Sequence, residues 1–145
     1  MSVSVKCQYA LRSLFELAKR KGGGLTRIQE IAAAQAVPVR FLENILNQLR
    51  QGGFVESRRG KMGGFALARS PAEITVLEIV SFIDGPVYAF DCEGKEPLRK
   101  CPLGPSCVFM PLWRKARRAL ETVYAGTTLQ DLLDSEPPCA VTYDI

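Results

Sequence analysis

A mainly α-helical chain with one small β-hairpin is the fold class this sequence predicts. Three observations carry that reading. Two short amphipathic segments joined by a tight turn end at Gly52-Gly53. Two brief alternating stretches, FVESR and FALAR, flank the glycine-rich RGKMGG. A long amphipathic segment, 106–125, follows a stretch dense in Cys, Pro and Gly that no helix or central strand tolerates.

Residues 8–21 predict the first helix, with a wide apolar face from Tyr9 to Ala18, a basic Lys19-Arg20-Lys21 end and a Gly22-Gly23-Gly24 stop. Thr26 with Gln29 has the capping-box spacing and predicts a second helix running to about Ala34. After the short turn Gln35-Ala36-Val37, Pro38 suits the first position of a third helix. That helix gathers Phe41, Leu42, Ile45, Leu46 and Leu49 on one side, and Arg40, Glu43, Asn44, Asn47 and Gln48 on the other. The pair is a helix-turn-helix arrangement, and the hairpin 54–69 behind it, with a basic tip, makes it a winged helix. Thr75 with Glu78 caps a fourth helix, VLEIVSFID, which Gly85-Pro86 ends.

Residues 92–107 read CEGKEPLRKCPLGPSC, a loop in which Cys92, Cys101 and Cys107 are spaced Cys-x8-Cys-x5-Cys. Three thiols in a foldable loop suit an iron–sulfur cluster or zinc; they also suit thiol redox chemistry. A buried cysteine often acts only as a small hydrophobe, which fits a polar loop poorly. The helix after the loop puts Phe109, Leu112, Trp113, Ala116, Leu120 and Val123 near one face and Arg114, Lys115, Arg117 and Arg118 on the other. Its basic stripe reads as a solvated face. Its apolar face, with Leu112, Trp113, Ala116 and Leu120 near the seam, predicts pairing across a homodimer two-fold. Pro111 lies in its first turn or kinks it, and Gly126 ends it. Thr128 opens a last short helix to about Leu133, and the tail SEPPCAVTYDI is broken by prolines. The expected organisation is a winged helix-turn-helix domain over 1–85, a cysteine loop over 86–110, a dimerisation helix with the last short helix over 106–134, and a tail over 135–145.

The chain has 145 residues, 47% hydrophobic, a net charge of +4 and no histidine. One domain with an appendage fits that length. Without histidine there is no Ser-His-Asp or Cys-His catalysis and no histidine metal ligand. No run of 18 apolar residues and no long apolar leader segment is present, and five cysteines cannot all pair within one chain. The expected setting is the cytoplasm, where thiols stay reduced. The charge permits a nucleic-acid partner without proving one.

On the third helix, Arg40 suits guanine, Asn44 adenine and Glu43 the cytosine amine; on the wing, Arg58, Arg59 and Lys61 suit phosphate and minor groove. A solvated helix face and an ordinary hairpin would use the same residues. The coincidence of helix, turn, helix and basic wing favours double-stranded DNA. The glycines of RGKMGG do not make a phosphate loop, because their order is wrong and no Ser or Thr follows Lys61.

The segments YALRSLFELA, VPVRFLENILNQLRQGGFVESRRGKMGGFALAR and TVLEIVSFIDGP resemble the Rrf-type winged-helix regulators, a family with IscR, NsrR, RirA and CymR branches, over about residues 1–134. The resemblance implies a homodimeric bacterial repressor or activator. A symmetric dimer would read a palindromic operator, and the lack of a histidine base, a Cys-x-x-Cys and a phosphate loop speaks against an enzyme. The resemblance also implies a 2Fe–2S or 4Fe–4S cluster on Cys92, Cys101 and Cys107. The family's fourth-ligand positions carry Met110 in one branch and Gln8, from the partner subunit, in another. Cys7, beside Gln8 at a helix start that lowers a thiol's pKa, ranks first as fourth ligand, then Gln8, then Cys139. Asp91 and Glu93 adjoin Cys92 and would need a cramped chelate. The alternatives are zinc or a thiol switch in place of the cluster and, remotely, an iron–sulfur electron carrier or enzyme, for which the chain has no histidine base and no Cys-x-x-Cys.

Overall fold

The computed structural model describes residues 3–87 and 101–137. In chain order it forms α1 (Val5–Lys19), α2 (Ile28–Gln35), α3 (Val39–Gln51), β1 (Val55–Arg58), β2 (Gly64–Leu67), α4 (Val76–Asp84), α5 (Met110–Ala125) and α6 (Leu129–Asp134). Short 3₁₀ turns at Pro71–Glu73 and Gly104–Ser106 precede α4 and α5. The strands pair antiparallel, Val55 against Leu67 through Arg58 against Gly64. The predicted fold class is the one observed.

The core is built around α1, which packs against α2, α3, α4 and α6. Leu14, Ile31, Leu42, Leu46, Leu49, Ile74, Ile79 and Leu129 are its fully buried large side chains. Each is worth about 2 kcal/mol relative to exposure. Glu16, buried on α1, accepts from Arg20 at 3.0 Å and from the Gln35 amide at 3.2 Å, tying α1 to the end of α2. Among the described residues no helix is long and apolar enough to cross a membrane.

Several boundaries differ from those expected. Helix α1 begins at Val5 because the Ser4 hydroxyl caps it, accepting the Cys7 N–H at 3.0 Å. Thr26 does not cap α2. Its N–H and C=O are both committed to Phe65 at 2.8 Å, which holds Thr26 extended, so the helix starts at Ile28. The cap there is the Glu30 carboxylate accepting the Arg27 N–H at 2.9 Å. Ala36 is left-handed, at φ 52°, and turns the chain into α3, where Pro38 is the capping residue and not the first helical one. Phe41, expected on the apolar side of α3, is exposed. Pro111 lies in the first turn of α5.

Helix α4 spans Val76–Asp84 with the Thr75–Glu78 capping box in place. Its start is joined to the start of α6. Thr75 and Thr128 form an isolated antiparallel bridge, the Val76 N–H donates to Thr127 C=O at 2.9 Å, and the Leu129 N–H donates to Ile74 C=O at 3.0 Å. Helix α5 packs back along α4.

Candidate functional site

Because Leu42, Ile45, Leu46 and Leu49 are buried, α3 turns Arg40, Glu43, Asn44 and Asn47 to solvent and leaves Gln48 half-buried. The Arg40 guanidinium sits 4.6 Å from the centre of the Phe41 ring. This stacking holds the cation close to the helix surface. The Asn47 side-chain oxygen accepts from Arg50 at 2.7 Å, so its amide hydrogens remain for a partner. Asn44 borders a cavity lined by Val5, Lys6, Tyr9, Phe41 and Ile45.

The wing presents Arg58, Arg59 and Lys61, all exposed. Its tip is closed by the Gly63 N–H donating to Gly60 C=O at 3.0 Å. A Cβ at Gly63 would lie 2.3 Å from the Arg58 carbonyl oxygen, so the two arms pass too close for any other residue. The Arg27 guanidinium reaches from the start of α2 and donates to the Lys61 carbonyl. This strap escaped the sequence reading, since no local pattern links residues so far apart in the chain.

Cys101 and Cys107 are free, half-buried thiols on either side of the Gly104–Ser106 turn. The Gly104 N–H donates to Cys101 C=O, and the Cys107 N–H to Gly104 C=O, both at 3.2 Å. The Met110 N–H donates to Cys107 C=O at 3.3 Å, so the turn runs straight into α5. Cys92, with Asp91 and Glu93, and Cys139 lie outside the described residues. Among the described residues no three Cys, Asp or Glu side chains converge. The donor set therefore fits a thiophilic centre in part: two accessible soft donors on a turned backbone, with the third cysteine to be supplied from outside the described segment.

Cys7 does not have the environment expected of it. It is 0% exposed and packs with Val80 and Val87, with Leu11, Leu120 and Tyr124 against them. Burial first, and then the Asp84 carboxylate, push its thiol up from 9.0 to about 12. Desolvation outweighs the helix N-terminus, so Cys7 is a poor thiolate donor. The unfolded chain loses this proton near pH 9.0 while the folded chain keeps it to about 12. The associated stability is complete below pH 9 and is lost as pH rises towards 12, by up to ~4 kcal/mol. Urea unfolding across that range should show Cys7→Ala with a shallower alkaline decline than the parent; parallel declines would count against it. Gln8 is exposed, and its amide nitrogen donates to Val3 C=O at 3.1 Å, which leaves the amide oxygen for a partner. Met110 is half-buried at the start of α5.

Helix α5 has no buried residue. Phe109, Leu112 and Val123 are 53%, 52% and 61% exposed. With the half-buried Ala116 they form one stripe at helical spacing. Leu120, expected at the seam, is instead drawn with Tyr124 towards the cluster of Cys7, Val80 and Val87 in its own subunit. Trp113 is half-buried and stacks on Phe109, ring centres 5.8 Å apart.

Residues 3–135 match the model of a family described as Rrf2, iron-dependent transcriptional regulator. The chain belongs to the Rrf2 family. Relatives of this Rrf2 chain include a putative HTH-type transcriptional regulator of Mycobacterium tuberculosis, 35% identical over 138 residues, with 95% of this chain and 84% of that one covered. The solved structure of T. potens IscR superposes with a TM-score of 0.75 at 32% identity, covering 94% of this chain and 89% of that one. CymR, the global cysteine regulator of B. subtilis, superposes at 0.78 and 31% identity, covering 94% and 99%. As an Rrf2 protein with this winged-helix fold, the chain is a DNA-binding transcriptional regulator and not an enzyme.

Proposed function

We propose that this Rrf2 protein is a homodimer whose grip on a palindromic operator is set by an iron–sulfur cluster held by Cys92, Cys101 and Cys107. The observation that carries the reading is the placement of Cys101 and Cys107 about a tight turn that leads without a break into the unburied helix α5. The family's description as iron-dependent supports it. Bound there, a cluster would make the conformation of the loop depend on iron and oxidants. This chain's own residues fasten both ends of the loop. Cys107 adjoins α5, and Asp84, at the end of α4, accepts from the Ser4 N–H at 2.9 Å and the Ser4 hydroxyl at 2.5 Å, reaching the start of α1.

The reading residues in this proposal are Arg40, Glu43, Asn44, Asn47 and Gln48 on α3 for base edges, with Arg58, Arg59 and Lys61 on the wing for phosphates and the minor groove. The division into 1–85, 86–110, 106–134 and 135–145 accompanies it. A two-fold dimer would set two α3 helices about one DNA turn apart, roughly 34 Å or a multiple. The fourth ligand is better sought at Gln8, Cys139 or Met110 than at Cys7. Loop thiols that stay reduced require a cytoplasmic setting.

A second reading keeps the DNA and replaces the cluster by zinc or a thiol switch. It is favoured by the likeness to CymR, which includes a Staphylococcus aureus CymR solved in an oxidised form. Anaerobic reconstitution with iron and sulfide separates the two. The cluster reading expects visible absorbance, lost in both Cys101→Ser and Cys107→Ser, and different operator affinities with and without it. Colourless protein whose operator affinity follows zinc or thiol oxidation would establish the second reading.

A further inference from the structure

The wing ends in an apolar residue that neither charge nor packing explains. Met62 is 89% exposed, with cationic side chains at Arg58, Arg59 and Lys61 close by in the same hairpin. Lys61 and Met62 are the two central residues of the turn closed by Gly60 and Gly63. The carbonyl of the peptide that joins them is the one Arg27 holds from α2. The backbone arms behind them pass so closely that Gly63 cannot carry a Cβ. Met62 is thus an unpacked apolar side chain on a tip fastened from three directions, among cations that attract a polyanion.

An exposed methionine on a loose loop would signify nothing, since it costs little and orders nothing. Fixing its backbone removes the entropy that insertion would otherwise lose. Proteins that enter the minor groove use apolar side chains, Met among them, to part a base step while cations hold the flanking phosphates. Pyrimidine–purine steps yield most readily to such a wedge. We infer that Met62 is a minor-groove wedge, inserted at a deformable pyrimidine–purine step of the operator, and that it adds specificity where no hydrogen bond reads a base. The inference rests on the DNA-reading assignment above and extends it to a residue and a kind of readout outside that assignment.

The test uses the full chain and a duplex recovered by the wild-type protein from a randomised pool. Hydroxyl-radical footprinting locates the tract under the wing, and 2-aminopurine placed along that tract reports unstacking. The wild type should raise its emission at a pyrimidine–purine step. Met62→Ala should abolish that rise and weaken binding about tenfold, the scale of a partly buried methionine side chain. The salt dependence should stay unchanged, because a thioether releases no counterion. Met62→Leu should keep both the emission and most of the affinity. Circular dichroism of the variants should match the parent, since the side chain is 89% exposed. Emission that never rises with the wild type, or a Met62→Ala protein with parental affinity and emission, overturns the wedge while leaving DNA reading in place. Failure of the wild type to recover any duplex overturns both.

Discussion

Leu112→Asp should leave the protein monomeric at micromolar concentration and weaken its hold on a two-site duplex by about two orders of magnitude or more, the scale of lost bivalency. The site of the change is the stripe in which Phe109, Leu112 and Val123 are each more than half exposed and Ala116 is half-buried, while Leu120 and Tyr124 turn inward. In the proposed dimer a second copy of that stripe would cover it, and a carboxylate there would be buried against hydrocarbon on dimerisation, which is costly. Arg114→Asp, on the exposed opposite face, is the control and should stay dimeric. Sedimentation velocity and binding to a duplex with one or two sites read the outcome. A Leu112→Asp dimer with parental affinity would remove α5 from the interface.

Gly64→Ala should detach the wing. The residue sits at φ +154°, and a Cβ there would lie 2.5 Å from the Thr26 carbonyl oxygen and 2.8 Å from its carbon. Thr26 cannot withdraw without breaking the two 2.8 Å bonds to Phe65 that join the hairpin to the chain entering α2. The expected cost is roughly 3 kcal/mol from strain and lost hydrogen bonds. DNA affinity should fall further than in a protein lacking Arg59 and Lys61, because the whole tip is misplaced. Gly53→Ala is the comparison. Its φ is +79°, but a Cβ there meets nothing within 4 Å, so it should cost only about 1 kcal/mol for the left-handed backbone. Equal stabilities of the two variants by urea denaturation would contradict the steric reading of Gly64.

The difference between those two glycines is also the difference between what the sequence discloses and what it withholds. Thr75 with Glu78 and Thr128 with Asp131 close capping boxes within four residues, so the starts of α4 and α6 are legible. The periodicity of α3 shows which side is buried, apart from Phe41, whose ring lies under Arg40 in the open. Thr26 carries an equally good local signal, and a distant strand overrides it. Cys7 has the helix position of a reactive thiol, yet Val80 and Val87, brought from far along the chain, decide its chemistry. The Arg27 strap and the exposed tip at Met62 depend likewise on long-range placement. Cys92 lies outside the described residues, so the grouping of the three loop cysteines rests on their spacing.

The bridge between Thr75 and Thr128 has a consequence for how such a protein diversifies. Thr75 stands at the start of α4 and Thr128 follows α5, so the entry to α4 and the exit from α5 meet at one hydrogen-bonded gate. The segment joining α4 to α5 lies between ends that are already closed, and lengthening a closed excursion costs little. The loop can therefore be rewritten, with cysteines gained, respaced or deleted, while the reading helix and wing keep their frame. A chimera that keeps residues 1–84 and 126–137 and takes the intervening arm from an Rrf2 relative should fold, bind this protein's DNA and answer the donor's signal.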